Sequence, residues 1–190
     1  MIVVVVEKSS SRWFLEGKPT KCLGKLAFGQ RVAVDFMQIT TEKKHVDFML
    51  QAIDYAFKSA PVATAYCVGC VIVKSGEVIS TGFSRELPGN THAEESAIKK
   101  LEEQSISAEG CDLYSTMEPC SKRLSGNKPC AQRIIENSMK RVFVGVLEPA
   151  NFVNCTGVQQ LLDAGIEVIA VQAEGLKEKC LAPNKHVLQK

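Results

Sequence analysis

The sequence predicts an α/β fold: a three-layer α/β/α sandwich around a five-stranded mixed sheet, preceded by an N-terminal extension. Two observations carry this reading. Residues 68–73 and 78–81 are rich in β-branched side chains and flank Ser75-Gly76, which marks an antiparallel hairpin. Beyond the hairpin, short apolar runs alternate with helical segments, and that alternation calls for crossover connections and parallel pairing. A chain of 190 residues is long enough to bury one good core with some length to spare.

Residues 1 to about 40 read as the extension, and 41–190 as the main domain with a helical tail. Val3–Val6 and Val32–Phe36 have the look of short strands, separated by Gly17, Pro19, Gly24 and Gly29. Val46, Met49, Leu50, Ile53, Ala56 and Phe57 then recur at helical spacing, which predicts a helix over 41–59. Thr40-Thr41 offers a cap before it and Pro61 stops it. The run 68–73 is almost wholly apolar, as a strand covered on both faces should be. A helix over 92–104 follows the Gly89-Asn90 loop. Next come a strand over 111–115, a long loop over 116–129 and a helix over 130–138. A strand over 141–146, a helix over 158–164 stopped by Gly165, and a strand over 166–171 complete the sheet. The tail from Glu174 reads as helical and is interrupted at Pro183.

Composition bounds the function. Apolar residues make up 45% and charged residues 23%, ordinary values for a globular domain. A net charge of +2 gives no field suited to a large nucleic-acid footprint. The apolar run Met1–Val6 is too short for a secretory core or a membrane span, and no later run of 18 apolar residues exists. The expectation is a soluble cytoplasmic protein without a membrane partner. Cys22, Cys67, Cys70, Cys111, Cys120, Cys130, Cys155 and Cys180 are scattered, which argues for reduced thiols over a stapled scaffold.

The chemistry centres on Thr91-His92-Ala93-Glu94-Glu95. Read locally, Thr91-x-x-Glu94 is a capping box and nothing more. The reading changes with Met117-Glu118-Pro119-Cys120 and Pro129-Cys130. Pro129 suits the first helical position and sets Cys130 in the opening turn, where amides and the helix dipole favour a thiolate. His92, Cys120 and Cys130 then make three ligands with one tetrahedral position left open, the arrangement of a catalytic rather than a structural zinc site. Glu94, two residues from His92, is placed to move protons beside the metal. Cys67-x-x-Cys70 is the competing motif. On a buried strand its cysteines face opposite sides, so they read as separate core residues; a four-cysteine zinc site with Cys120 and Cys130 would leave His92 and Glu94 unexplained.

His92-Ala93-Glu94 followed by Glu118-Pro119-Cys120 and Cys130 resembles the zinc-dependent cytidine/deoxycytidylate deaminase superfamily, whose signature is H-x-E…P-C-x-x-C with the glutamate as general acid/base. The resemblance covers about 41–171 and implies the cytidine-deaminase-like fold. Nine residues, Ser121 to Pro129, separate the cysteines here instead of two. That longer polar loop, Ser-Lys-Arg-Leu-Ser-Gly-Asn-Lys-Pro, is similar to the pyrimidine deaminases of riboflavin biosynthesis, and most of all to their fungal members. What the resemblance implies is hydrolytic deamination of 2,5-diamino-6-ribitylamino-4(3H)-pyrimidinone 5′-phosphate, with Zn²⁺ held by His92, Cys120 and Cys130, Glu94 shuttling the proton and ammonia leaving. It also implies a homodimer. A phosphorylated substrate needs cations and polar groups, for which Lys122, Arg123, Arg85, Asn90, Ser121 and Asn127 are the candidates; Lys128 and Ser125 share the same loop. The rival readings are a cytidine-type nucleoside or nucleotide deaminase, a transfer-RNA adenosine deaminase, and a deaminase-like binding module without catalysis. The presence of His92, Glu94, Cys120 and Cys130 together argues against the last.

Overall fold

The computed structural model of the chain describes residues 37–149 and 155–188. The strands expected at Val3–Val6 and Val32–Phe36 lie outside the described residues. Six strands form one mixed sheet in the order β1-β6-β5-β4-β2-β3, with β1 at Gln38–Thr40, β2 at Gly69–Lys74, β3 at Glu77–Phe83, β4 at Asp112–Met117, β5 at Arg141–Val146 and β6 at Glu167–Val171. β2 runs antiparallel to β3 and β4, whereas β4, β5, β6 and β1 are mutually parallel neighbours.

The last strand in the chain, β6, lies inside the sheet and not at its edge. Gln38–Thr40 pairs in parallel with Ile169–Val171 and makes a sixth strand where five were predicted. Three residues with a single apolar side chain carry no readable period, and the segment fell within the stretch assigned to the extension.

Alternation along each strand sorts the core into two layers. On one face Val71, Val73, Tyr114, Phe143, Ile169 and Val171 meet α1 (Lys43–Ala56) and α5 (Leu176–Leu181) through Met49, Ala52, Ile53, Leu176 and Cys180. On the other, Cys70, Ile72, Leu113, Val142, Val144 and Val168 meet α2 (Ala93–Glu103), α3 (Cys130–Glu136) and α4 (Gly157–Asp163) through Ala97, Ile98, Leu101, Ala131, Ile134 and Leu161. This is the three-layer sandwich that the sequence predicts. The tail continues from α5 through a 3₁₀ turn at Ala182–Asn184 into α6 (Lys185–Leu188). No helix among the described residues is long and apolar enough to cross a membrane.

Two contacts place the ends of elements that matter below. A Cβ on Gly82 would stand 2.1 Å from the Ala93 carbonyl oxygen and 2.7 Å from the Ala97 nitrogen, so only glycine lets the start of α2 lie directly on β3. A Cβ on Gly157 would stand 1.7 Å from the Pro119 carbonyl oxygen, so the start of α4 likewise abuts the segment after β4.

Candidate active site

Three separate segments converge at one end of the sheet. His92 is the extended residue immediately before α2, with φ −84° and ψ 166°. Cys120 follows the C-terminal end of β4. Cys130 is the first residue of α3, and Pro129 is its N-cap rather than its first helical residue. The Cys130 amide donates to Cys120 Sγ at 3.3 Å, and the Ala131 amide to the Cys120 carbonyl at 3.1 Å. These bonds fold the long loop back so that both cysteines meet.

His92 Nδ1 lies 3.4 Å from Cys120 Sγ and 3.5 Å from Cys130 Sγ, and the three ligand atoms all fall within 4.8 Å of one another. Zinc–sulfur and zinc–imidazole bonds at tetrahedral angles would separate S and N by about 3.6 Å, so the spacing fits a zinc ion. The protonation chemistry fits too. The Cys120 thiol is pulled well below its ordinary value, first by a hydrogen bond from Cys130 and then by His92, against the opposing effect of burial. Cys130 is pushed up by that same shared bond and by burial. Two thiols sharing one proton cannot both ionise unless a cation lies between them, which is what a divalent ion supplies. Among the described residues, His92, Cys120 and Cys130 form the group able to hold a metal. Cys67 and Cys70 stay apart from it as buried free thiols, as expected for core residues.

Glu94, in the first turn of α2, is only 3% exposed. Burial raises its affinity for a proton, and the negative charge of Cys120 adds to this. The Ser115 hydroxyl lies 3.1 Å from Glu94 Oε1 and 2.7 Å from the Met117 carbonyl. The capping assignment is corrected by one residue. The N-cap is His92, and it is Glu95 that reaches back to the His92 amide, at 3.5 Å. Thr91 instead braces the preceding loop, accepting from the Leu87 amide at 3.1 Å and from the Ser96 hydroxyl at 2.9 Å. The helix starts one residue later than the Thr91…Glu94 pattern implies, and this frees Glu94 to face the ligands.

A cavity of about 170 Å³ opens onto His92, Glu94 and Cys120. Of the residues expected to bind substrate, Asn90, Arg85, Lys122 and Arg123 line it. Arg123 is committed elsewhere: Nη1 pairs with Glu95 at 2.7 Å and Nη2 donates to the Asn90 carbonyl at 2.5 Å. Arg85 is wrapped by Ser59 Oγ at 2.7 Å and by the Ala60 and Tyr66 carbonyls at 2.7 and 3.1 Å. Lys122 is exposed at the rim. Ser121 and Asn127 do not line the cavity. The Ser121 hydroxyl accepts from the Thr156 amide at 3.0 Å, and the Asn127 side chain donates to the Gly89 carbonyl at 3.3 Å, so both join loops.

Sequence reasoning passed over two further carboxylates in the cavity wall, Glu118 and Glu148. A signal was there: Glu118-Pro119 and Glu148-Pro149 each follow the C-terminal end of a parallel strand, β4 and β5, where α/β sheets place their ligands.

A family model described as "Cytidine and deoxycytidylate deaminase zinc-binding region" matches residues 42–146. The diaminohydroxyphosphoribosylamino-pyrimidine deaminase of Schizosaccharomyces pombe is 52% identical over 127 residues, 66% of this chain and 31% of that protein. The riboflavin biosynthesis protein RibD of Actinobacillus pleuropneumoniae is 40% identical over 62% of this chain and 29% of its own length. The chain thus spans about three tenths of the length of these curated relatives. Among solved structures, the bifunctional deaminase/reductase of Thermotoga maritima superposes with a TM-score of 0.65 at 33% identity, covering 74% of this chain and 39% of that one. The Aspergillus oryzae Rib2 deaminase, solved in complex with DARIPP, gives a TM-score of 0.60 at 29% identity, covering 76% of this chain and 100% of that one.

Proposed function

The chain belongs to the cytidine and deoxycytidylate deaminase zinc-binding family, and from that membership we propose that it hydrolytically deaminates 2,5-diamino-6-ribitylamino-4(3H)-pyrimidinone 5′-phosphate, an intermediate of riboflavin biosynthesis. The observation that carries the reading is a buried carboxylate, Glu94, set beside a three-ligand His/Cys/Cys group with room for a fourth ligand. The choice of substrate is supported by the S. pombe relative's name and by the DARIPP bound to the A. oryzae neighbour.

His92, Cys120 and Cys130 would hold the zinc. Bound there, zinc supplies Lewis acidity that brings the pKa of water down to about 7. The remaining work falls to side chains. Glu94 takes a proton from the attacking water and delivers it to a ring nitrogen; it then takes the proton of the added hydroxyl and passes it to the leaving amine. Water adds at C2, the amidine carbon bearing an exocyclic amine, ammonia departs and a carbonyl remains. Its buried setting, which favours the protonated form, suits Glu94 to holding that proton between steps. Ser115 serves both states: it donates to the ionised carboxylate, or accepts from the protonated one while donating to Met117. Asn90, Arg85 and Lys122 line the cavity as polar partners for the ribityl phosphate. An N-terminal extension over residues 1–40, whose end at Gln38–Thr40 joins the sheet as β1, a homodimer and a cytoplasmic location belong to the same proposal and rest on the sequence reading.

The test is a substrate panel. Ammonia should be released from the ribitylaminopyrimidine phosphate and not from cytidine, and Glu94→Gln should keep its zinc while turnover falls about 10²- to 10⁴-fold. Release from cytidine alone would assign the protein to the nucleoside branch.

A further inference from the structure

Three carboxylates line the cavity, and only one has no task in the mechanism or the scaffold. Glu94 serves the reacting carbon. Glu118 is consumed by backbone: it accepts from the Glu148 amide at 3.3 Å and the Val158 amide at 3.0 Å. Glu148 has the Cys155 thiol as a weak donor, and no cation pairs with its carboxylate among the described residues. Burial pushes it up to about 7 against the opposing hydrogen bond from Cys155, and the negative charges of Cys120 and Glu118 add to the rise. A half-buried acceptor facing a cavity is costly unless a ligand brings donors to it.

We propose that Glu148 is a specificity-determining residue that accepts hydrogen bonds from the vicinal exocyclic N–H groups at C5 and C6 of the pyrimidine. The inference rests on the deaminase reading above. With C2 at the His/Cys/Cys group, the edge carrying C5 lies across the ring from the reacting carbon and beyond the reach of Glu94's role. The diamino-ribitylamino ring has N–H donors at both positions. Cytidine reacts at C4, which puts N1 across the ring; N1 carries the sugar and no hydrogen, and its neighbours are C2=O and C6–H, so cytidine brings no donor and would leave the Glu148 carboxylate desolvated and unpaired. A polar site built this way rejects an analogue lacking the donor far more strongly than an apolar pocket rejects a missing methyl group. Lys122, Arg85 and Asn90 remain for the other end of the substrate.

The experiment compares the natural compound with its analogue carrying hydrogen in place of the 5-amino group, on the full chain loaded with zinc. The wild type should favour the natural compound by about 10- to 100-fold in kcat/KM, the scale of a hydrogen bond to a charged group. Glu148→Met, close in volume but without an acceptor, should lose that preference: its loss on the natural compound should exceed, by about that factor, its loss on the analogue, which keeps only the C6 N–H. Glu148→Gln, which keeps one acceptor oxygen, should recover part of the preference, and it decides the matter if the methionine variant fails to retain zinc. Equal losses on both compounds, or an unaltered preference in both variants, would overturn the role. A zinc-loaded wild type inactive on both compounds would instead remove the deaminase reading, and this inference with it.

Discussion

Glu95 shows how one residue's register decides what its neighbour can do. It is 3% exposed and carries three cationic partners: Arg123 at 2.7 Å, Arg133 at 2.8 Å and Lys99 at 2.9 Å. Burial alone would raise its pKa, but hydrogen bonds from Lys99 and Arg123, with the charge of Arg133, outweigh it and hold the carboxyl below its ordinary 4.5. A depressed carboxylate contributes stability above its unfolded pKa and loses it as pH falls through the folded value. Glu95→Gln should therefore destabilise the protein by about 3–5 kcal/mol at pH 7, the scale of removing one partner from a buried charge cluster. The gap to wild type should narrow as the pH is lowered beneath about 4.5. Denaturant melts at pH 7 and in the acid range measure both. A gap that does not change with pH would mean that the cluster's charge contributes nothing and that the packing is what matters. Because Arg123 also holds the Asn90 carbonyl, the same cluster ties the inter-cysteine loop to the start of α2, and so sets His92 against Cys120.

At the scale of elements, much was legible. The amphipathic stripe of α1, the Ser75-Gly76 turn with both φ values positive at 54° and 86°, and β5 at Arg141–Val146 all follow from local pattern. The helix stop at Gly165 and the break at Pro183 do as well. What local pattern does not carry is the long-range use of the tail. Asn184 is fully buried; its Oδ1 accepts from the Cys67 amide at 2.6 Å and its Nδ2 donates to the Cys67 carbonyl at 3.1 Å, across 117 residues of sequence. His186 Nε2 lies 3.3 Å from the Ala65 carbonyl, and Val187 packs with Tyr66 and Met117. Thr64, Ala65 and Tyr66 are cavity wall, so the tail props the wall from behind. No periodicity in the sequence could connect these residues, because the pairing is between one side chain and the backbone of a single residue, Cys67, 117 positions away. Asn184→Ala leaves two buried backbone groups unpaired, at about 1–3 kcal/mol each. The expected result is a lower melting temperature and a raised KM with zinc content unchanged. A variant that lost its zinc but kept its KM would place the tail's influence on the metal instead.

The whole molecule explains why these scattered residues meet. β4 and β5 are parallel, so both Glu-Pro pairs emerge at the same edge of the sheet, and Gly82 lets α2 deliver His92 and Glu94 to that edge. The ligands at 92, 120 and 130 come from three segments that share no strand or helix. A metal held by all three is therefore a clamp on the assembly, and it binds the folded chain far better than the unfolded one. At a free zinc concentration about 1,000 times its Kd the linkage is worth about 4 kcal/mol. For a chain of this size each kcal/mol moves Tm by about 2–4 °C. Chelation should thus lower Tm by about 8–16 °C, and zinc should restore it. The sharing of one proton between Cys120 and Cys130 adds a direction: binding must expel that proton, so the zinc-dependent gain should shrink as pH falls. Calorimetry with and without chelator at two pH values reads both effects. Equal melting temperatures would show that sheet and helices hold the three segments together unaided, and the metal would then serve chemistry alone.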